Sequence, residues 1–275
     1  MSRPDAADVP PFLTAAGLAA DLERLGVVAG DMVMVHAAMG RVGDLIGGPD
    51  TLIDALLSVV GSAGTLIGYT DWNARYEDLL DADGRVPDAW RPHIPPFDPL
   101  SSRAIRHNGT LQEFLRTRPG ARRSASPGPS VTAIGARADD VTADHPIDYG
   151  YGPGSPLAKL VAAGGKVAMI GAPLDTMTLL HHAEHLAAIP GKRIRRYEVP
   201  FATPGVTEWR MVEEFDTGDP VVDGLDEDYF ATIVEAFLAS GQGARGMVGR
   251  APSVLVDAAA ITEFAVRWLE AEVPG

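Results

Sequence analysis

No cysteine occurs in the 275 residues, which excludes disulfides, thiolate metal sites and a cysteine nucleophile together. No apolar run approaches the roughly 18 to 20 residues of a membrane span. The opening MSRPDAADVPPF puts acids ahead of any hydrophobic stretch, which is not the pattern of a secretion signal. These absences make a cytoplasmic protein without a membrane partner the expectation. Positive charge is also scarce, with 23 Lys and Arg against 37 acids and a net charge of −14. Such a field repels nucleic acid and concentrates cations, although net charge alone serves solubility equally well. Repeats and low-complexity tracts are lacking too.

What is present is 46% apolar residues, enough for a large core. The length suits one domain over residues 1–275. Helical and strand patterns alternate. Helices are predicted from about Thr14 to Leu25, over Thr51 to Val60 behind Pro49, and near Thr110 to Arg116. Others follow near Ser155 to Ala163, from about Thr176 to Ile189, over Asp228 to Ala239, and onward from Asp257, a natural N-cap. Strands are predicted at Met32 to Val35, Thr65 to Tyr69, Ser130 to Ile134 and Lys166 to Ile170, then at Tyr197 to Phe201, Trp209 to Glu214 and Ser253 to Val256. The alternation implies α/β layers around a mixed sheet. Residues 71–102, rich in Pro, Asp and aromatics, read as a loop-rich insertion, and long loops of this kind are usually functional.

The segment from Gly171 to His185 carries the most chemistry. It leaves a strand, turns at Gly171 and Pro173, and enters a helix with Asp175 or Thr176 as cap. Ligand sites in α/β sheets lie beyond the carboxyl ends of strands. On a helical wheel Leu179, Leu180, Ala183, Leu186 and Ala187 form one apolar face, and His181, Glu184 and His185 lie off it. His181 and Glu184 are three residues apart and so are neighbours. A carboxylate beside an imidazole raises its basicity and fixes its tautomer, which suits a general base. A solvated polar face has the same pattern. So does the H-x-x-E-H order of inverted zinc peptidases, in which two histidines one turn apart hold zinc.

Acids cluster elsewhere. From Glu213 to Asp228 there are eight acids and no base, including Glu214, Asp216, Asp219 and Asp223. Asp226, Glu227 and Asp228 suit the start of the following helix. Asp216 and Asp219 are the better candidates for holding a cation. The stretch from Tyr69 to Asp78 mixes Asp71, Trp72, Tyr76 and Glu77, as sugar-binding surfaces do, while Trp72 and Tyr76 suit core positions equally well. Lys192, Arg193, Arg195 and Arg196 read as a solvated strand edge.

Seven ordered segments carry a family resemblance: Gly30 to Ala37, Pro96 to Pro99, Arg122 to Pro127, Asp148 to Gly152, Ser155 to Lys159, Gly171 to Glu184, and Phe215 to Pro220. From about Leu18 to Glu270 the chain resembles the aminoglycoside 3-N-acetyltransferases, most of all their broad-substrate type-three branch. The resemblance implies a three-layer α/β/α fold of the antibiotic N-acetyltransferase type, distinct from the common acetyltransferase fold. It implies acetyl-coenzyme A as co-substrate, a cationic aminoglycoside as acceptor, and no metal. The residue matching the family's general base is His181, supported by Asp216 or Glu184. Coenzyme A is then expected along Val35, His36, Ala37 and Ala38 and at Ser130 and Thr178, with Arg122, Arg123 and Ser124 the best candidates for its phosphates. The aminoglycoside is expected against Tyr69, Asp71, Trp72, Tyr76, Glu77, Glu213, Glu214 and Asp219. Asp98 and Asp148 join that group through the resemblance alone. Many relatives carry Ser where this chain has Ala38, and His-Pro where it has Ser126-Pro127.

Acetylating an amine requires a neutral nitrogen, a thioester held nearby and a place for charge on the carbonyl oxygen. Direct attack in a ternary complex suffices, since holding two substrates together contributes up to roughly 7–11 kcal/mol. Rival readings are a zinc hydrolase, a protein that binds polycations without turnover, and an acetyltransferase for another amine in self-protection or biosynthesis. Either a monomer or a homodimer is compatible with the sequence.

Overall fold

The computed structural model describes residues 12–72, 75–216, 218 and 220–273. Its first helix, α1 (Ala15–Leu25), starts where the Thr14 hydroxyl accepts from Gly17 N at 3.2 Å and stops at Gly26, whose φ of 111° is left-handed. Strand β1 (Met32–Ala37) has all six residues buried, as a central strand covered on both faces must. A short turn of helix, α2 (Met39–Val42), leads to α3 (Pro49–Val60) and then to β2 (Thr65–Tyr69).

After the insertion come α4 (Thr110–Arg116), β3 (Arg122–Arg123), β4 (Val131–Gly135), α5 (Ala138–Thr142), α6 (Pro156–Ala162) and β5 (Lys166–Ile170). The chain then forms α7 (Leu179–Leu186), the hairpin β6 (Ile194–Thr203) and β7 (Val206–Phe215), α8 (Tyr229–Ala239), β8 (Ala244–Val248), β9 (Ala251–Asp257) and α9 (Ala258–Glu272).

Seven strands make one mixed sheet in the order β3-β4-β2-β1-β5-β9-β8. Strand β1 runs parallel to both β2 and β5, and the outer pairings are antiparallel. Alternate side chains of β1 enter two cores. Val33, Val35 and Ala37 pack with α1, α3 and α4 on one face, and Met32 and Met34 pack with α6, α7, α8 and α9 on the other. The three-layer α/β/α arrangement with a mixed sheet is therefore the fold. The carboxyl ends of β1, β2 and β5 open at one edge, with β2 and β5 on opposite sides of β1. That is where open α/β sheets form a crevice.

The insertion is not a free loop. Trp72, Tyr76, Val86, Ile94 and Phe97 pack with Val199, Phe201 and Val212 of the hairpin into a third, smaller core. Phe97 also bonds the hairpin edge, its N donating to Pro200 O at 2.7 Å and its O accepting from Ala202 N at 2.8 Å. The lobe overhangs the open edge of the sheet.

Several elements differ from the sequence reading. The predicted helix over Thr176 to Ile189 breaks into a 3-10 turn, Leu174–Thr176, and the shorter α7. Its N-cap is Thr178, which makes no side-chain cap bond, and the Thr176 hydroxyl, expected as a cap, donates to Pro173 O at 2.6 Å instead. Strand β8 and the short helices α2 and α5 went unpredicted. They are too brief for periodicity to register and are held by neighbours across the fold.

Candidate active site

The first residue of consequence on α7 is His181. Its Nδ1 lies 2.7 Å from Glu184 Oε2, the neighbour expected from the spacing. The second Glu184 oxygen accepts from the Tyr229 hydroxyl. Glu184 therefore does not lie on a solvated face. It is 1% exposed and enters the apolar arc of the helix, tolerable because both oxygens are satisfied. Leu186, expected on that arc, is exposed instead. The His181 ring sits between aromatic walls, with centroids 4.9 Å from Tyr151 and 4.8 Å from Phe230.

The other two histidines of the motif have separate tasks. His182 is buried and its Nδ1 contacts Tyr151 O at 2.8 Å, anchoring the tyrosine that lies against His181. His185 Nε2 lies 2.9 Å from Glu214 Oε1, out of line for a hydrogen bond. The H-x-x-E-H order thus does not converge on one point, and the described residues contain no cluster of three or more such groups that could hold a metal ion.

Two cavities share Tyr69 as a wall, and the first also reaches this helix. One, of about 390 Å³, lies at the carboxyl ends of the parallel strands and is lined by His36, Ala37, Ala38, Asn108, Thr178 and His181 among others. The second, of about 450 Å³, lies under the insertion lobe and is lined by Asp71, Trp72, Glu77, Asp78, Glu214 and the rings of Tyr151 and Tyr197. Tyr69 belongs to both walls, and its hydroxyl is 2.6 Å from that of Tyr151. The first chamber is flanked by strand ends and His181, and the second by four carboxyl groups with Arg75 and Arg195. Tyr151 of the second lies against the His181 ring. Burial pushes the Asp71 carboxyl up to about 8, against the pull of Arg123 and a hydrogen bond from Asn108. Burial likewise raises Glu77, whose carboxylate is 2.7 Å from Arg195.

A family model described as aminoglycoside 3-N-acetyltransferase matches residues 34–270. The chain belongs to that family. It is 45% identical over 262 residues to aminoglycoside N(3)-acetyltransferase III of Pseudomonas aeruginosa, covering 94% of this chain and 93% of that one. A solved structure of AAC-IIIb, binary with CoASH, is 68% identical with a TM-score of 0.94, over 95% of this chain and 98% of that one. AAC-VIa bound to sisomicin is 39% identical with a TM-score of 0.90, over 96% and 100%.

Within this acetyltransferase fold the sequence-predicted residues divide. His36, Ala37, Ala38 and Thr178 line the first chamber with His181, while Val35 lies beneath it in the core. The N–H of Ala38 is committed to Ile170 O at 3.0 Å. Arg122, Arg123, Ser124 and Ser130 line neither chamber. Arg122 pairs with Asp139 at 2.7 Å on the surface. Arg123 donates to Ser130 Oγ at 2.8 Å and to backbone carbonyls of Thr70 and Ser102, and it lies over the Phe97 ring. Ser124 is fully buried between Val131 N and His145. Of these, Arg123 uses its donors to join the insertion to the sheet.

Among the acids, Asp71, Glu77 and Glu214 line the second chamber, with Tyr69 and Trp72. Tyr76 is a core residue whose hydroxyl donates to Glu198 O at 3.0 Å. Asp98 closes its own turn, accepting from Leu100 N at 2.9 Å and Ser101 Oγ at 2.7 Å. Asp148 and Glu213 lie in a separate surface groove, where Asp148 Oδ1 accepts from Glu213 N at 2.8 Å and Glu213 pairs with Arg196. Asp216 is bonded within its own loop, to Gly218 N at 3.2 Å, and makes no hydrogen bond to His181. Asp219 lies outside the described residues. The basic run is not a free edge either: Arg193, Arg195 and Arg196 pair with Asp223, Glu77 and Glu213.

Sequence reasoning missed Tyr151, Tyr229, Phe230, Asn108 and Tyr197. The pair of tyrosines in Asp148 to Gly152 was a usable signal for the first. Nothing local marks Tyr229, which reaches Glu184 only because α8 packs against the turn before α7.

Proposed function

We propose that the protein transfers the acetyl group of acetyl-coenzyme A to the 3-amino group on the 2-deoxystreptamine ring of aminoglycosides, by direct attack in a ternary complex. The reading is carried by one observation: a His181–Glu184 pair whose imidazole lines the chamber at the strand ends and lies against Tyr151, which lines a second chamber holding four acids and two arginines. Support comes from relatives solved with CoASH and with sisomicin. The coenzyme is assigned to the first chamber and the polycation to the second.

Glu184 accepts the Nδ1 proton of His181 and leaves Nε2 free to take a proton. His181 removes it from the amine as the nitrogen attacks the thioester carbonyl carbon. The C–N bond forms, the C–S bond breaks, and the thiolate leaves to be protonated. A positioned base contributes about 10²- to 10⁴-fold. Glu214 attracts an ammonium group, a close pair contributing up to about 4 kcal/mol near a protein surface, while Asp71, held mostly protonated at neutral pH, offers a hydrogen bond rather than a charge. Phosphate binding, first expected of Arg122 and Arg123, is reassigned to Arg106. Its exposed side chain has no partner among the described residues, and it begins the turn whose His107 and Asn108 line the first chamber.

The test is an assay of thiol release from acetyl-coenzyme A against a panel of aminoglycosides, with product regiochemistry by NMR. His181→Ala should lower kcat by about 10²- to 10⁴-fold while calorimetry finds both substrates still bound. Wild-type turnover by that variant removes His181 as the base, and absence of thiol release by the wild type removes the reading itself.

A further inference from the structure

Strand β1 is the middle strand of the sheet, and its carboxyl end delivers His36 into the chamber that His181 lines. The strand reads Met-Val-Met-Val-His-Ala, so His36 is its single polar side chain, and the ring is 7% exposed. Its Nε2 is shut off from solvent and has no hydrogen-bond partner among the described residues. A buried polar atom left in that condition destabilises the fold, and an apolar side chain there would not. Burial lowers the imidazole to about 4, so it is uncharged at neutral pH. An uncharged ring neither competes with His181 for the substrate's proton nor repels a polycation. It remains a hydrogen-bond donor.

The chamber has few other donors to spare. Asn108 Nδ2 donates to Asp71, Gln112 Nε2 to Val35 O at 3.0 Å, and Thr176 Oγ1 to Pro173 O at 2.6 Å. The Tyr69 hydroxyl is held at Tyr151 and Gly128, and the Ala38 N–H is spent on Ile170. Thr178, on the wall near His181, and His107, on the turn Arg106–Asn108, are the remaining side-chain rivals. We propose that His36 donates a hydrogen bond to the acyl carbonyl oxygen during transfer, stabilising the charge that develops there while His181 takes the proton. As the amine nitrogen bonds to the carbonyl carbon, the C=O π pair moves onto oxygen and is held by the His36 N–H. The pair then returns as the C–S bond breaks, so His36 neither gains nor loses a proton. This inference rests on the assignment of the acyl donor to this chamber.

The test compares His36→Leu, which removes the donor, with His36→Asn, which keeps one. Loss of a donor to a developing oxyanion lowers kcat by about 10²- to 10³-fold. His36→Leu should show that loss with the KM of both substrates within about threefold of wild type, and His36→Asn should recover at least about tenfold of it. A kcat of His36→Leu within about threefold of wild type overturns the role, and so does a loss confined to the KM of acetyl-coenzyme A. Where His36→Leu does not fold, the carbonyl resonance of isotope-labelled acetyl-coenzyme A bound to wild type and to the donor-free His36→Ala decides. A downfield move on binding to the wild type that shrinks in the variant supports the role, and an unmoved resonance overturns it. Wild-type thiol release, run in parallel, separates failure of this role from failure of the proposed function.

Discussion

Glu184 stands among leucines because His181 and Tyr229 each occupy one of its oxygens. Hydrogen bonds to a charged group contribute about 1.5–3 kcal/mol, and a buried carboxylate deprived of one is left unsatisfied. Glu184→Gln should therefore lower kcat by at least about tenfold, since an amide neither fixes the imidazole tautomer nor stabilises its cation. Tyr229→Phe should lower kcat less and reduce the melting temperature by a few degrees. Steady-state kinetics and thermal melts on both variants check this, and a Glu184→Gln enzyme with wild-type kcat excludes the pair from proton transfer.

Two elements hold the site in shape. The loop Asp148 to Gly152, which places Tyr151 against His181, is clamped by His145. Its Nε2 donates to Gly150 O at 2.7 Å and its Nδ1 accepts from Ser124 Oγ at 2.8 Å. Burial lowers His145 to about 4, the same shift as His36. Between that value and the ordinary 6.5 the unfolded chain binds more protons than the folded one. Stability is therefore fully present above pH 6.5 and is lost as pH falls toward 4, by about 3 kcal/mol per histidine. The melting temperature should be flat above neutrality and decline across that window, and His145→Gln should make the decline shallower. The second element is the insertion lobe. Phe97 is 1% exposed and sits between Trp72, Phe201 and the Arg123 guanidinium. Phe97→Ala should cost about 3–5 kcal/mol and loosen the acid-walled chamber. The KM of the aminoglycoside should then rise well above that of acetyl-coenzyme A, and hydrogen exchange should quicken over residues 71–102 ahead of the main sheet.

At the scale of the whole molecule, a net charge of −14 must serve a polycation and a polyphosphate together. Its field attracts the first and opposes the second. Screening acts over about 10 Å at 0.1 M salt, so added salt should raise the KM of the aminoglycoside. Acetyl-coenzyme A depends on local positive charge against that field. Arg106→Ala should raise its KM severalfold and leave that of acetyl-pantetheine, which carries no phosphates, unchanged. An equal effect on both donors removes Arg106 from phosphate binding.

Local pattern alone determined most sheet-forming segments, the longer helices and the neighbourhood of His181 and Glu184, because periodicity and three-residue spacing act within one element. The ordered segments also identified the family. Only the tertiary structure shows that Glu184 touches both His181 and Tyr229 while Asp216 bonds within its own loop, because the two acids belong to different elements. It likewise sorted the acids. Asp71 and Glu214 line a chamber, Glu213 and Asp148 share a surface groove, and Asp98 closes a turn. The arginines meet the same physical limit: charge is visible along the chain, but the hydrogen bonds that engage Arg123 are made to residues far apart in sequence.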